Sequence, residues 1–183
     1  MSEFLFFISS WRPDSAGTGR SAILRDTMSD HAGPTGRIYG LIQSVLLCGF
    51  TLVYFADRSV WLFRSALAGL VGGVLCFAGI LLMVAALAVI RRSIQIAPAP
   101  RADAQLVTTG VYAWFRHPIY TAIVMLLVGL FFRQPTAWVA LAGTIVIAYL
   151  MLKVRIEERL LRARYPDYAA YTKRTFGLLP WWR

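Results

Sequence analysis

Two clusters of charge are placed where they could do chemistry. Arg116 and His117 lie side by side in Gly110-Val-Tyr112-Ala-Trp-Phe-Arg116-His117-Pro118-Ile-Tyr120, where a basic loop enters an apolar segment. Glu157-Glu158, the only adjacent acidic pair in the sequence, follows one further apolar segment. Charge at a membrane boundary is costly unless it binds or pairs with something. If the apolar stretches between the clusters form an antiparallel hairpin turning near Gln134, His117 lies 17 residues before the turn and Glu157 lies 23 residues after it. A rise of ~1.5 Å per residue then sets Glu157 roughly 9 Å beyond His117. The expectation is two ends of one elongated site bracketing an extended cofactor, not a contacting pair.

The elements that must position these residues are read as membrane spans. A hydrophobic content of 58% and long uncharged runs exclude an ordinary soluble globule. The first span is predicted from about 38 to 56. The second runs from about 66 to 90 and carries Gly69 and Gly73 at a spacing that lets helices approach closely. A polar loop, 91–118, is long for a bilayer connection and is therefore a functional candidate. The third span, 119–132, is short for a free-standing crossing, so it either starts back in 112–115 or sits deeper than the headgroups. Arg133-Gln134-Pro135 makes a tight turn, from which the fourth span continues without a breaker to Pro166 and projects as a polar rod. A short helix over 167–175 then sets Tyr168 and Tyr171 on one face, and Trp181-Trp182-Arg183 reads as an interfacial anchor.

Charge distribution supports this layout. The net charge is +10, yet Lys and Arg fall between apolar segments and form no single stripe, which argues against nucleic acid as a partner. With four spans, 16 basic residues fall on one side and 3 on the other. The excess places both termini and the 91–118 loop in the cytoplasm. The fold class expected is all-α, a polytopic membrane protein with about four transmembrane helices. Residues 1–37 form a polar leader, with Met28 a candidate natural start, and 38–183 the membrane domain. Cys48 and Cys76 lie in apolar runs as packing residues, and no Cys/His cluster points to a metal.

Taken together, Gly110-x-Tyr112-x3-Arg116-His117-Pro118-x-Tyr120, the apolar hairpin, Glu157-Glu158-x2-Leu161, Tyr168-x2-Tyr171 and Leu179-Pro180 resemble the isoprenylcysteine carboxyl methyltransferase family. More broadly they resemble the membrane methyltransferases that include phospholipid N-methyltransferases. Pro98-x-Pro100-Arg101 and Leu106-Val107-Thr-x-Gly110 look like the bacterial branch, whose members lie in the inner membrane, and the resemblance covers about 95–181. Ala122 stands where that family often has glycine, which implies a slightly different pocket.

The resemblance implies S-adenosylmethionine as cofactor, held in a cytosolic pocket between the loop before the third span and the C-terminal tail. Its carboxylate suits Arg116 and His117 and its ammonium suits Glu157 or Glu158. Adenine suits an apolar or aromatic wall from Tyr112, Tyr120, Tyr168, Tyr171 and Leu106-Val107. Gln95, Gly110, Leu179 and Pro180 complete the implied set. Arg116 and Glu158 are the residues expected to position the reactants. Adjacent glutamates on a helix point about 100° apart, so one should face the cofactor and the other pair with Arg155 or Arg162. A lipophilic or small acceptor would enter from the bilayer, and an apolar lining does not distinguish carboxylate, thiol and amine. Two other readings compete: an NADPH-dependent sterol or lipid reductase with a similar His-Pro-x-Tyr, and a non-catalytic scaffold in which the charges serve as anchors and i, i+4 pairs.

Overall fold

The computed structural model describes residues 34–96 and 106–178. Leucine-, valine- and alanine-rich runs without internal proline fold into helices: α1 (Pro34–Ala56), α2 (Ala66–Ile96), a 3-10 turn (Gly110–Ala113), α3 (Pro118–Arg133), α4 (Ala137–Arg164) and α5 (Tyr168–Arg174). Among the described residues there is no strand, only an isolated parallel bridge between Phe115 and Phe176. Stretches of α1, α2 and α4 are long and apolar enough to cross a membrane, and α3 is a shorter apolar helix. The fold is therefore the all-helical membrane architecture expected. Residues 34–37, expected in the leader, instead begin α1, while Met28 and the Trp181-Trp182-Arg183 anchor lie outside the described residues.

Helices pack in antiparallel pairs. α2 lies along α3, where a Cβ on Gly72 would come within 2.6 Å of the Gly129 carbonyl and one on Gly79 within 3.1 Å of the Ala122 carbonyl. This corrects the expected Gly69–Gly73 packing pair, because Gly69 faces open space and the close approach belongs to Gly72, Gly79 and Gly129. Cys76 lies in the same seam, since a Cβ on Gly129 would sit 2.7 Å from its sulfur. α1 packs on α4, with the Phe50 ring 3.5 Å from where Gly143 would carry a Cβ. The core between them is Phe50, Tyr120, Ile123, Val124, Leu127, Val139, Val146, Leu150 and Val154. Outward faces stay apolar, with Leu41, Leu52, Leu70 and Phe77 all exposed, as lipid contact requires.

The hairpin turn is held by polar groups. Thr136, not Pro135, is the N-cap of α4, and its hydroxyl accepts from the Val139 amide at 3.3 Å. That hydroxyl also donates to Asp57, and the Gln134 side chain donates to the Asp57 carbonyl at 3.2 Å. The Thr136 bond, with those from Ser59, lowers the Asp57 carboxyl below its usual range. At the other end α4 runs on to Arg164, and at 28 residues it spans about 42 Å, beyond the ~30 Å hydrocarbon layer. The helix thus continues unbroken to just before Pro166, as expected.

Candidate functional site

The site assembles where the start of α3, the end of α4 and the C-terminal tail converge. Pro118 at the first helical position stops the chain from starting α3 earlier, so Tyr112–Phe115 stays outside it as part of a separate turn and bridge. The tail is stitched to that entry point. The Arg116 amide donates to the Phe176 carbonyl at 2.9 Å, and the Phe176 amide to the Trp114 carbonyl at 2.8 Å. Thr121, which gave no sequence signal beyond a hydroxyl in an apolar helix, donates to the Leu178 carbonyl at 2.9 Å.

Arg116 is the hub. Its side chain is 1% exposed, and Nε donates to Glu158 Oε1 at 2.8 Å. Nη1 donates to the carbonyls of Thr172 at 3.0 Å and Thr175 at 2.9 Å, closing the last turn of α5 against the start of α3. The carbonyls at the C-terminus of a helix carry partial negative charge, so a guanidinium there is favoured. Glu158 also lies 3.5 Å from the exposed Arg162, one turn along α4.

His117 is sandwiched between the two carboxylates. Its Nδ1 is 3.7 Å from Glu157 Oε2 and its Nε2 is 3.6 Å from Glu158 Oε1. The expectation of a non-contacting pair is wrong. The tail draws Arg116-His117 up against α4, and long glutamate side chains close the remaining axial distance. One glutamate pairs with Arg162 as expected, and it is Glu158. Glu158 binds both Arg116 and Arg162, and Glu157 accepts from the Tyr120 hydroxyl at 2.7 Å.

The tyrosines line the same corner. Tyr120 stacks on His117 at 5.8 Å, and Tyr168 and Tyr171 lie 5.8 Å apart on one face of α5. The Tyr171 hydroxyl donates to the Tyr112 carbonyl at 2.5 Å, and burial pushes its phenol up to about 12. Burial, followed by the Glu158 carboxylate, raises the Tyr168 phenol as well. All three phenols of Tyr112, Tyr168 and Tyr171 are thus held neutral.

Gly110 has a structural reason to be glycine. Its φ of +61° is left-handed, and a Cβ there would stand 2.8 Å from Val89 of α2. Leu106 and Val107 are half-buried in the segment leading to it. Gln95 belongs to α2, but its side chain, like Leu179 and Pro180, lies outside the described residues.

Three buried side-chain atoms among the described residues have no hydrogen-bond partner in the chain: Arg116 Nη2, His117 Nε2 and the Tyr168 hydroxyl. A buried polar group without a partner costs about 1–3 kcal/mol. All three fall in one corner beside Glu158, with the imidazole nitrogen 3.6 Å from its carboxylate. Among the described residues no group of three or more His, Cys, Asp or Glu side chains is arranged to hold a metal ion.

A stretch at least 30% identical is shared with two curated proteins. One is the nickel-cobalt-cadmium resistance protein NccN of Alcaligenes xylosoxydans xylosoxydans, 32% identical over 44% of this chain. The other is the cobalt-zinc-cadmium resistance protein CzcN of Cupriavidus metallidurans, 30% identical over 44% of this chain. In each case the match spans 38% of the relative's length. No solved structure matches. Residues 67–168, more than half the chain and including Arg116, His117, both glutamates and Tyr168, match the phospholipid methyltransferase family throughout. By that match, the chain belongs to the phospholipid methyltransferase family.

Proposed function

We propose that the protein transfers a methyl group from S-adenosylmethionine to a lipophilic or small acceptor, at the cytoplasmic face of a bacterial inner membrane. The observation that carries this reading is the trio of unpartnered buried atoms, Arg116 Nη2, His117 Nε2 and the Tyr168 hydroxyl. Arg116 and Tyr168 present donors, and with the imidazole they match the cofactor's carboxylate. Glu157, the more exposed glutamate, suits its ammonium. Tyr112, Tyr120, Leu106 and Val107 supply an apolar and aromatic wall for the adenine.

When bound, the cofactor supplies a methyl group on a positively charged sulfur, already activated for transfer. The chain's own residues bind and orient. Arg116 is locked by Glu158 and the α5 carbonyls, so it presents Nη2 in one direction only. The tail bridge to Phe176 excludes bulk water from that face, and the apolar interior leaves the membrane side open to a lipophilic acceptor. Glu157 is held by Tyr120 and lies beside His117, which fixes where the ammonium end can dock.

The test is calorimetric titration of the detergent-purified protein with S-adenosylmethionine, S-adenosylhomocysteine and NADPH. The first two should bind and NADPH should not. Binding of NADPH alone would overturn the methyltransferase reading in favour of a reductase, and binding of none would favour a scaffold.

A further inference from the structure

α1 lies outside the residues that match the family, yet it reaches the site through a buried cation. Lys153 of α4 sits one turn before Glu157, with its side chain 11% exposed. Its ammonium donates to the side-chain oxygen of Gln43 of α1 at 2.7 Å and lies over the Tyr120 ring at 5.2 Å. Gln43 is wholly buried. The nearest carboxylate oxygen, Glu157 Oε1, is 4.0 Å away, beyond hydrogen-bonding reach, and already accepts from Tyr120. Lys153 therefore carries three donors in an apolar seam, of which one meets a neutral acceptor. A buried ammonium in so sparse a setting is expensive unless an anion completes it.

Depth and charge say what that anion is. Lys153 lies 17 residues beyond the Thr136 cap, about 26 Å along the helix axis. Measured from the opposite boundary, that is just inside the far edge of a ~30 Å hydrocarbon layer, the level at which lipid headgroups begin. Setting aside the imidazole and the solvent-exposed Arg162, the side chains of the corner balance: Arg116 and Lys153 against Glu157 and Glu158. Resting on the cofactor reading above, the bound donor adds one net positive charge, from its sulfonium. A low-dielectric seam then favours a partner bringing one negative charge.

We infer that Lys153 and Gln43 form an anion subsite at the α1–α4 seam, which holds a phosphate or carboxylate oxygen of the lipid acceptor. Lys153 would then act on the acceptor side of the site, and α1 would take part in choosing the acceptor.

The experiment is native mass spectrometry of the full chain in detergent with dioleoyl phosphatidate, oleate, dioleoylglycerol and inorganic phosphate, together with calorimetry for S-adenosylmethionine. The parent should retain the two anionic lipids over dioleoylglycerol and over inorganic phosphate. Lys153→Gln should lower that retention about tenfold, the worth of a charge-assisted hydrogen bond, and Lys153→Arg should restore most of it. Cofactor binding should survive in both variants, which shows that they fold. Unchanged anionic-lipid retention in Lys153→Gln overturns the subsite. So does equal retention of dioleoylglycerol by the parent, and equal retention of inorganic phosphate overturns its assignment to lipid. Loss of cofactor binding in both variants makes Lys153 a structural residue and also overturns the proposal. A parent that binds anionic lipid through Lys153 but no S-adenosylmethionine sinks the cofactor reading alone.

Discussion

Arg116 and Glu158 meet at 2.8 Å across the gap between the start of α3 and the end of α4, with side chains 1% and 13% exposed. Neither is spent on solvent, and the arginine still keeps one buried nitrogen without a partner. The pair thus fastens the fold and aims a donor at the same time. Removing one member strands the other in a poorly solvated corner. Arg116→Ala should destabilise the detergent-purified protein by about 3–5 kcal/mol and abolish S-adenosylmethionine binding. Thermal unfolding and calorimetry check both parts. A variant as stable as the parent would show that the ion pair is not holding the tail.

His117→Ala tests the unpartnered ring nitrogen separately. Without the imidazole the two carboxylates lose a group lying between them, while the Arg116 bonds to α5 remain. The expected outcome is cofactor affinity lower by about tenfold, one ligand hydrogen bond, with the unfolding temperature nearly unchanged. Parent-like binding would place the cofactor carboxylate elsewhere.

The α2–α3 seam separates two glycines that look alike in sequence. Gly72→Ala drives a methyl group into the Gly129 carbonyl and should cost about 1–3 kcal/mol by overpacking. Gly69→Ala meets nothing within 4 Å and should cost nothing. Unfolding temperatures of the two variants, measured side by side, decide it.

At Gly110 two penalties act together. Alanine there adopts a left-handed backbone at a cost of about 1–2 kcal/mol and also presses on Val89. Val89→Ala should relieve only the contact, so a double-mutant cycle ought to recover part of the loss and leave the backbone cost behind.

Stability should fall in alkali through Tyr171. Its phenol is raised by burial from about 10 in the unfolded chain to about 12 in the fold. The folded state therefore keeps a proton that the unfolded state releases first. The resulting contribution is complete below pH ~10 and disappears as pH rises through about 12. Tyr171→Phe should be less stable than the parent at neutral pH, lacking the bond to the Tyr112 carbonyl, with the gap narrowing as pH climbs. Denaturant unfolding at pH 8 and pH 11 would show it, and a gap that widens with pH would refute the assignment.

Hydrophobic length and breakers made the helices legible: the uncharged runs became α1 and α2, and Pro118 and Pro166 mark where α3 starts and the rod of α4 ends. The ordered Arg-His-Pro-x-Tyr and Glu-Glu spacing picked out residues that do converge. The sequence could not show how tightly they close, because axial rise counts only the backbone. The Arg116 bonds to Thr172 and Thr175 use main-chain carbonyls, which have no signature in residue type. Gln43 and Lys153 carry no signal in the sequence for a different reason. A lone glutamine in an apolar run and the first basic residue of a tail look ordinary until two helices bring them within 2.7 Å.

The partners of Arg116 are all made late. Glu158 follows it by 42 residues, Thr172 by 56 and Thr175 by 59. While the chain is being synthesised and α3 has entered the bilayer, the guanidinium must wait, charged and unanswered, until α5 leaves the ribosome. A chain stalled before Thr172 would carry the membrane segments and the arginine but neither of the carbonyls that hold it. Such truncated products should be handed to membrane quality control, because the site closes only once Thr175 has been made.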